Sequence, residues 1–281
     1  ETVRASTFNP TLLKFQDAAL AVAASYSLTS AVWSQQDSTV LNVTMSAVDF
    51  NAILATDRLL TNQSNSYLTF GAFVHDMNEN AVVTVSNGNG MLAASFVVDT
   101  TRRYLVSFNL DMNTEILSLT FSETVRLSSM NPTEIVFQNV HMSPVHQYTL
   151  SSSQVSSTTH SPIMNIRLST ADLNEIKRLQ HLATTNNDTF VYLSDLAVSD
   201  MRGNRLSPRA NLSVTTFVAD VTEPRLVSYD LNMNLGTLML TFDETILLGS
   251  LNVSAFVLQQ RSQLALSSFV HQLSGLNTVD M

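Results

Sequence analysis

The chain has 281 residues and a formal net charge of −9, yet charged residues are only 13% of it, about half the share usual in soluble domains. Lys and Arg are scattered singly, which leaves no footprint for a nucleic-acid backbone, and the longest apolar run, Ala18 to Ala24, is far short of the roughly 20 residues of a membrane span. With no cysteine there is no disulfide, thiolate metal site or cysteine nucleophile, and 65 Ser and Thr residues take the place of the missing charges.

The opening Glu1-Thr2-Val3-Arg4 recurs as Glu123-Thr124-Val125-Arg126 and, degraded, as Glu244-Thr245-Ile246-Leu247, at offsets of 122 and 121. Asn9-Pro10-Thr11 with Phe15-Gln16 likewise matches Asn131-Pro132-Thr133 with Phe137-Gln138. A period of about 121 residues is the size of one small domain, and tandem copies of this kind build extended arrays. The expected division is a first repeat without its opening strands at 1–98, a complete repeat at 99–219, and the front part of a third at 220–281. Beginning inside a repeat, the chain reads as a processed protein or a piece of a longer precursor.

Taken in order, the first segment places a helix over Ser46 to Leu60. In the second, Leu105, Ser107 and Asn109 alternate with Val106, Phe108 and Leu110, and Leu117, Leu119 and Phe121 alternate with Ser118, Thr120 and Ser122, the period of half-buried strands. The intervening Asp111-Met-Asn-Thr-Glu115 predicts a hairpin turn, and 225–242 repeats the whole pattern around Asn232-Met-Asn-Leu-Gly236. Further strands are expected at Ile135 to Gln138, Tyr148 to Leu150, Ile163 to Leu168, Phe190 to Leu193, Leu196 to Val198 and Leu212 to Phe217. Between them, Ser169 to Leu182 sets Leu173, Ile176, Leu179 and Leu182 three residues apart behind a capping Ser or Thr, predicting a short crossover helix that plugs the end of the fold rather than offering a face to a partner. About eight short strands per copy point to an all-β fold of tandem sandwiches.

The junctions Phe217-Val-Ala-Asp220 and Phe96-Val-Val-Asp99 end one copy and begin the next with almost no linker, which makes a stiff array. Asp220-Val-Thr-Glu-Pro224, Thr120-Phe-Ser-Glu-Thr-Val125 and Thr241-Phe-Asp-Glu-Thr-Ile246 resemble the Ig-like domains strung together in bacterial S-layer and large surface proteins. That resemblance covers the front third of each copy and implies Ig-like β-sandwich repeats. The Asp-Leu-Asn-Glu-Ile-Lys stretch and Asp200-Met-Arg-Gly-Asn204 are similar to repeats of long secreted fibrous or surface-coat proteins of protists and simple marine animals. Neither resemblance implies an enzymatic activity.

The candidate sites follow from residue chemistry. Asp99, Asp220 and Glu223 are the junction acids that calcium would use, but each junction offers one or two carboxylates where calcium takes six to eight oxygens, so turn and capping roles explain them better. None of the six histidines has metal-ligand spacing, no Ser sits in Gly-x-Ser-x-Gly, and seven glycines leave no phosphate-cradling loop; no catalytic residue and no cofactor is expected. His75 precedes Asp76, but the counterpart is Ser199-Asp200, so the Asp is the repeated element. N-glycosylation sequons stand at Asn42, Asn62, Asn187, Asn211 and Asn252, a number that chance supplies in so Ser- and Thr-rich a chain, with Asn62 and Asn187 in the same loop of two copies. Ser151 to Thr159 is a candidate for O-linked sugar or a plain flexible loop.

A first repeat lacking its opening strands would leave unpaired backbone and apolar surface. Continuation of the polypeptide or head-to-tail strand addition between copies would cover it. The resulting expectation is a non-enzymatic extracellular or cell-surface filament subunit, N-glycosylated, whose partners are copies of itself joined by donor-strand complementation. The alternative is an adhesin or carbohydrate-binding module of stacked Ig-like domains, against which Trp33 stands as the only Trp.

Overall fold

The structure, a computed structural model, describes residues 1–21, 23–208, 212–263 and 269–274. It is mostly β-strand in several sheets, with two α-helices among the described residues. The chain forms two compact bodies, Glu1–Val221 and Thr222–Met281. Among its described residues the first body has two separate hydrophobic cores, one drawn from residues below 99 and one from residues above it.

In chain order the strands of the first segment are β1 (Val3–Arg4), β2 (Leu13–Gln16), β3 (Ser25–Ser27), β4 (Ala31–Trp33), β5 (Val43–Met45), β6 (Tyr67–Phe70), β7 (His75–Asp76) and β8 (Met91–Leu92). Helix α1 (Ala47–Ala55) follows β5. One sheet has the order β3-β2-β6-β8, while β4 and β5 form a separate ribbon and β1 pairs β7. The second segment holds β9 (Leu105–Asp111), β10 (Ile116–Val125), β11 (Ile135–Gln138), β12 (Gln147–Thr149), β13 (Gln154–Val155), β14 (Ser161–Arg167), α2 (Thr170–Arg178), β15 (Phe190–Leu193), β16 (Leu212–Ser213) and β17 (Thr216–Val218). Its two sheets, β13-β14-β10-β9-β17 and β12-β11-β15-β16, enclose one core: Phe108, Leu117, Leu119 and Met164 come from the first sheet and Ile135, Phe137 and Val191 from the second.

The arrangement around β2 and that around β11 agree strand by strand. β2 lies antiparallel between β3 and β6, as β11 does between β12 and β15. Val3 bridges Ser38 and pairs with Asp76; Val125 bridges Ser161 and Asp200. Asn9, Asn131 and Asn252 each accept a hydrogen bond from the backbone N–H two residues on, at 3.1, 3.2 and 3.1 Å, capping a short 3-10 turn.

Three strand expectations change. Val106 does not share the inner face with Phe108 and Leu110: between Thr120 and Phe121 the register shifts so that Phe121 faces Leu105, a bulge that turns Leu105 inward and leaves Val106 exposed. Leu196 to Val198 is a turn, because the Ser194 hydroxyl accepts from Leu196 N–H and Ala197 N–H bonds Ser194 O, drawing the backbone into a turn instead of a ladder. Leu212 to Phe217 splits into β16 and β17 in different sheets, with buried Val214 at the crossing.

Both helices are shorter than their apolar spacing predicts. Ser46 and Ser169 cap them by accepting from Asp49 and Asp172 N–H, both at 3.1 Å. They stop at Ala55 and Arg178, after which Arg58 and Leu60, or His181 and Ala183, take positive φ. Such backbone cannot continue a right-handed helix. Leu173 and Ile176 of α2 are buried in the second core, whereas α1 also packs on β10, where Asn51 Oδ1 accepts from Thr124 N–H at 2.8 Å.

The second body contains β18 (Leu226–Asn232), β19 (Thr237–Phe242), β20 (Val257–Gln259) and β21 (Val270–Gln272), paired as two antiparallel hairpins.

Candidate functional site

An open sheet edge dominates the first segment. β5 pairs with β4 on one edge, and no strand among the described residues pairs its other edge; Val43 and Met45 of β5 help line an apolar groove of about 460 Å³ with Phe8, Phe15, Leu41 and Val82, among others. A second groove of about 340 Å³ shares Phe15, Met45 and Leu68 with it and extends to Met91, Leu92 and Phe96. In the second segment the corresponding edge of β14 is covered by β10, and β9 continues the sheet to β17. Met164, Ile166 and Leu168 are buried there, while Val43, at the place of Ile166, is exposed. Unpaired strand edges beside apolar surface template pairing with another strand.

The second body carries a hairpin with the reverse problem. β18 and β19 pair Leu226 with Phe242, Ser228 with Thr241, Tyr229 with Leu240 and Leu231 with Leu238. Shifted by 121, these are the pairs Leu105–Phe121, Ser107–Thr120, Phe108–Leu119 and Leu110–Leu117 of β9 and β10, bulge included. The turn also matches, since Glu115 (φ 65°) and Gly236 (φ 66°) occupy the same left-handed position. Yet Phe108 is fully buried, whereas Tyr229 is 60% and Leu231 47% exposed.

Two buried carboxylates tie the helices to neighbouring loops. Asp49 accepts from Tyr26 Oη (2.8 Å), Thr29 Oγ1 (2.7 Å) and Ser30 N–H (2.9 Å). Asp172 accepts from Tyr148 Oη (2.8 Å), Ser151 Oγ (2.7 Å), Ser153 Oγ (2.6 Å) and the N–H groups of Ser151, Ser152 and Ser153. Burial pushes the Asp49 carboxyl up, but the donors of Ser30, Thr29 and Tyr26 outweigh it and hold it at about 2. Asp172 is held well below the ordinary range by the same balance, with the Ser153 and Ser151 donors against burial. Burial and these carboxylates push the Tyr26 and Tyr148 hydroxyls up.

A buried ionic cluster surrounds Arg103, which pairs with Asp99, with Glu123 at 2.7 Å and with Asp200 at 3.7 Å. Burial pushes the Glu123 carboxyl up, Arg103 opposes, and Asp99 and Asp200 add to the rise. Asp200 also accepts from Arg202 and Asn204 N–H and Asn204 Nδ2, each at 2.8 Å. Asp76 binds Asn78 N–H, Asn80 N–H and Asn80 Nδ2 in the same way, so the Asp of His75-Asp76 closes a turn.

The calcium candidates are therefore separated by function: Asp99 faces Arg103, Asp220 pairs with Lys177 at 2.7 Å, and Glu223 is exposed in the second body. Among the described residues no group of three or more His, Cys, Asp or Glu side chains is arranged to hold a metal ion. Asn42, Asn62, Asn187 and Asn252 are exposed, while Asn211 lies outside the described residues. Asn42 stands on the open edge next to β5. The Ser151 to Thr159 tract is not a flexible loop: its first three serines are held by Asp172 and Gln154–Val155 is β13. No helix among the described residues is long and apolar enough to cross a membrane.

Sequence reasoning missed Asp49, Asp172 and Arg103. The two aspartates had a signal, since Asp49 follows the capping Ser46 and Asp172 the capping Ser169 by three residues, the pattern of a capping box; their side chains reach outward to a loop instead of back to the cap. Arg103 had none, because its counterpart in the third segment is Pro224. Comparison with family models, curated proteins and solved structures finds no match for this chain.

Proposed function

We propose that this protein is a structural subunit of an extracellular or cell-surface filament, built of tandem Ig-like β-sandwiches and joined head to tail by β-strand complementation. The observation that carries the reading is the edge of β5 that no strand among the described residues pairs, on a strand whose Val43 and Met45 line the apolar groove. A sheet edge of this kind is normally paired, covered or charged, and heterologous, head-to-tail addition of strands generates open filaments where the rotation between copies does not close a ring. The agreement of pairing around β2 and β11 supports tandem copies of one domain, and the two-sheet core of the second segment supports the Ig-like sandwich. The exposed Asn42, Asn62, Asn187 and Asn252 are the positions for N-linked glycans, and no catalytic group, cofactor or calcium ion enters the reading.

Sedimentation and electron microscopy across a concentration series test it. Growth of elongated particles with concentration is the expected result. A folded protein that stays monomeric at every concentration would overturn it.

A further inference from the structure

We propose that the occupant of the groove is the β18–β19 hairpin of a second copy, in one defined register; this rests on the filament reading above and names its joint. The argument begins from the second segment, which shows the completed arrangement. There β10 pairs with β14 through Leu117–Ile166, Ser118–Asn165 and Leu119–Met164, and β9 takes β17 in parallel through Asn109–Thr216 and Leu110–Phe217.

Residues 1–98 hold both flanks of that arrangement, and no strand among their described residues stands in its middle. The β4–β5 ribbon corresponds to β13–β14, because Val32–Thr44 stands where Gln154–Arg167 stands. Ser95–Phe96–Val97 corresponds to β17, yet none of the three is in a strand, and Val97 is 91% exposed. Between the flanks lie the two grooves, which share Phe15, Met45 and Leu68.

The second body supplies a two-stranded piece with the pairing, bulge and turn of the missing middle. Transferred by the repeat offsets, β19 lies antiparallel to 40–44 of the other copy, with Leu238 opposite Val43, Met239 opposite Asn42 and Leu240 opposite Leu41. β18 lies parallel to 95–97, with Leu231 opposite Phe96. Leu226, Tyr229, Leu231, Leu238, Leu240 and Phe242 then face the groove, as Leu105, Phe108, Leu110, Leu117, Leu119 and Phe121 face the core of the second segment.

Lengths also agree. β10 runs on to Val125, but β19 ends at Phe242, the counterpart of Phe121. The receiving copy already fills the remaining positions, because its own Val3 bridges Ser38 and Asp76. The incoming strand ends at Phe242, and the receiving copy's own Val3 holds the next pairing position, at Ser38.

Since the chain has no cysteine, engineered pairs read the joint directly. In the second segment Ser118 Oγ donates to Asn165 Oδ1 at 2.8 Å, so Met239→Cys and Asn42→Cys face each other on the outer side of the sheet, within disulfide reach. The two single variants are mixed and gently oxidised. A disulfide-linked dimer is expected in the mixture, absent when Leu235→Cys replaces Met239→Cys, and lost when Leu240→Asp is added to the donor. Leu240 is not buried, so that donor keeps its fold.

Filaments that form without the Met239–Asn42 crosslink would overturn the hairpin and leave the filament reading standing. Neither filaments nor crosslink would overturn both. Amide-exchange protection of 40–44 in dilute, strictly monomeric protein would show the edge covered by its own chain and overturn the hairpin joint.

Discussion

Two hairpins in this molecule share a register and differ in their fate. Residues 105–121 and 226–242 have the same cross-strand pairs, the same bulge and the same left-handed turn residue, yet one forms the middle of a five-stranded sheet and the other exposes every residue of its first strand. The lesson is that a hairpin is built by local pairing and turn chemistry, whereas its burial depends on what stands opposite. Among the described residues of 1–98 no such hairpin pairs with β5.

Breaking the buried hairpin gives the largest effect. Phe108→Ala is expected to cost about 4 kcal/mol, the range for a buried aromatic truncated in a core. Tyr229→Ala at the same place in the exposed hairpin is expected to leave the unfolding midpoint of dilute protein within about 0.5 kcal/mol of its parent, as surface changes do. Urea unfolding of both variants measures the contrast, and equal losses would contradict it.

The next contrast is ionic. Arg103→Met leaves Asp99, Glu123 and Asp200 around a vacated cation, and removing one partner of a buried ionic cluster costs roughly 3 kcal/mol. The corresponding Pro224 has no such cluster to lose, so Pro224→Met should leave stability nearly unchanged in the same urea titration.

Acid unfolding tests the carboxylate ties. The Asp49 carboxyl is held at about 2 when folded against 3.8 when free, so its stabilisation, roughly 2 kcal/mol, is fully present above pH 4 and is lost as pH falls from about 4 through about 2. Asp172 acts with the same sign. Glu123, raised in the fold, acts oppositely and favours the folded state as pH falls through its raised value. Asp49→Asn should therefore lower stability at neutral pH and flatten the decline below pH 4; an unchanged acid slope would remove Asp49 from the account.

The smallest effect lies in the turn. Glu115 holds φ 65° where the other hairpin has Gly236, and glycine relieves left-handed strain while costing backbone entropy. Glu115→Gly also gives up the exposed pair with Arg167, so the net change expected by thermal unfolding is below about 1 kcal/mol.

Much of this architecture was legible in local patterns. The strands Ile135–Gln138 and Phe190–Leu193, the two hairpins and the Ser-capped helix starts all follow from alternation, turn residues and caps. Legibility failed where a distant or irregular contact intervened. The bulge at Val106 reverses its face, Ser194 folds Leu196 to Val198 into a turn, and Asp172 orders a serine tract that reads as loose. The open edge was legible as a missing segment, but the two grooves beside it, which share Phe15, Met45 and Leu68, appear only in the folded chain.

By itself, then, the amino-acid order determined the period, the hairpin turns and the helix caps, because these depend on residues close along the chain. Only tertiary structure decided which of two matching hairpins is buried, which acids gather around Arg103 and which strand edge stays open. Those outcomes depend on burial and pairing between residues far apart in sequence, where one local pattern is compatible with opposite environments.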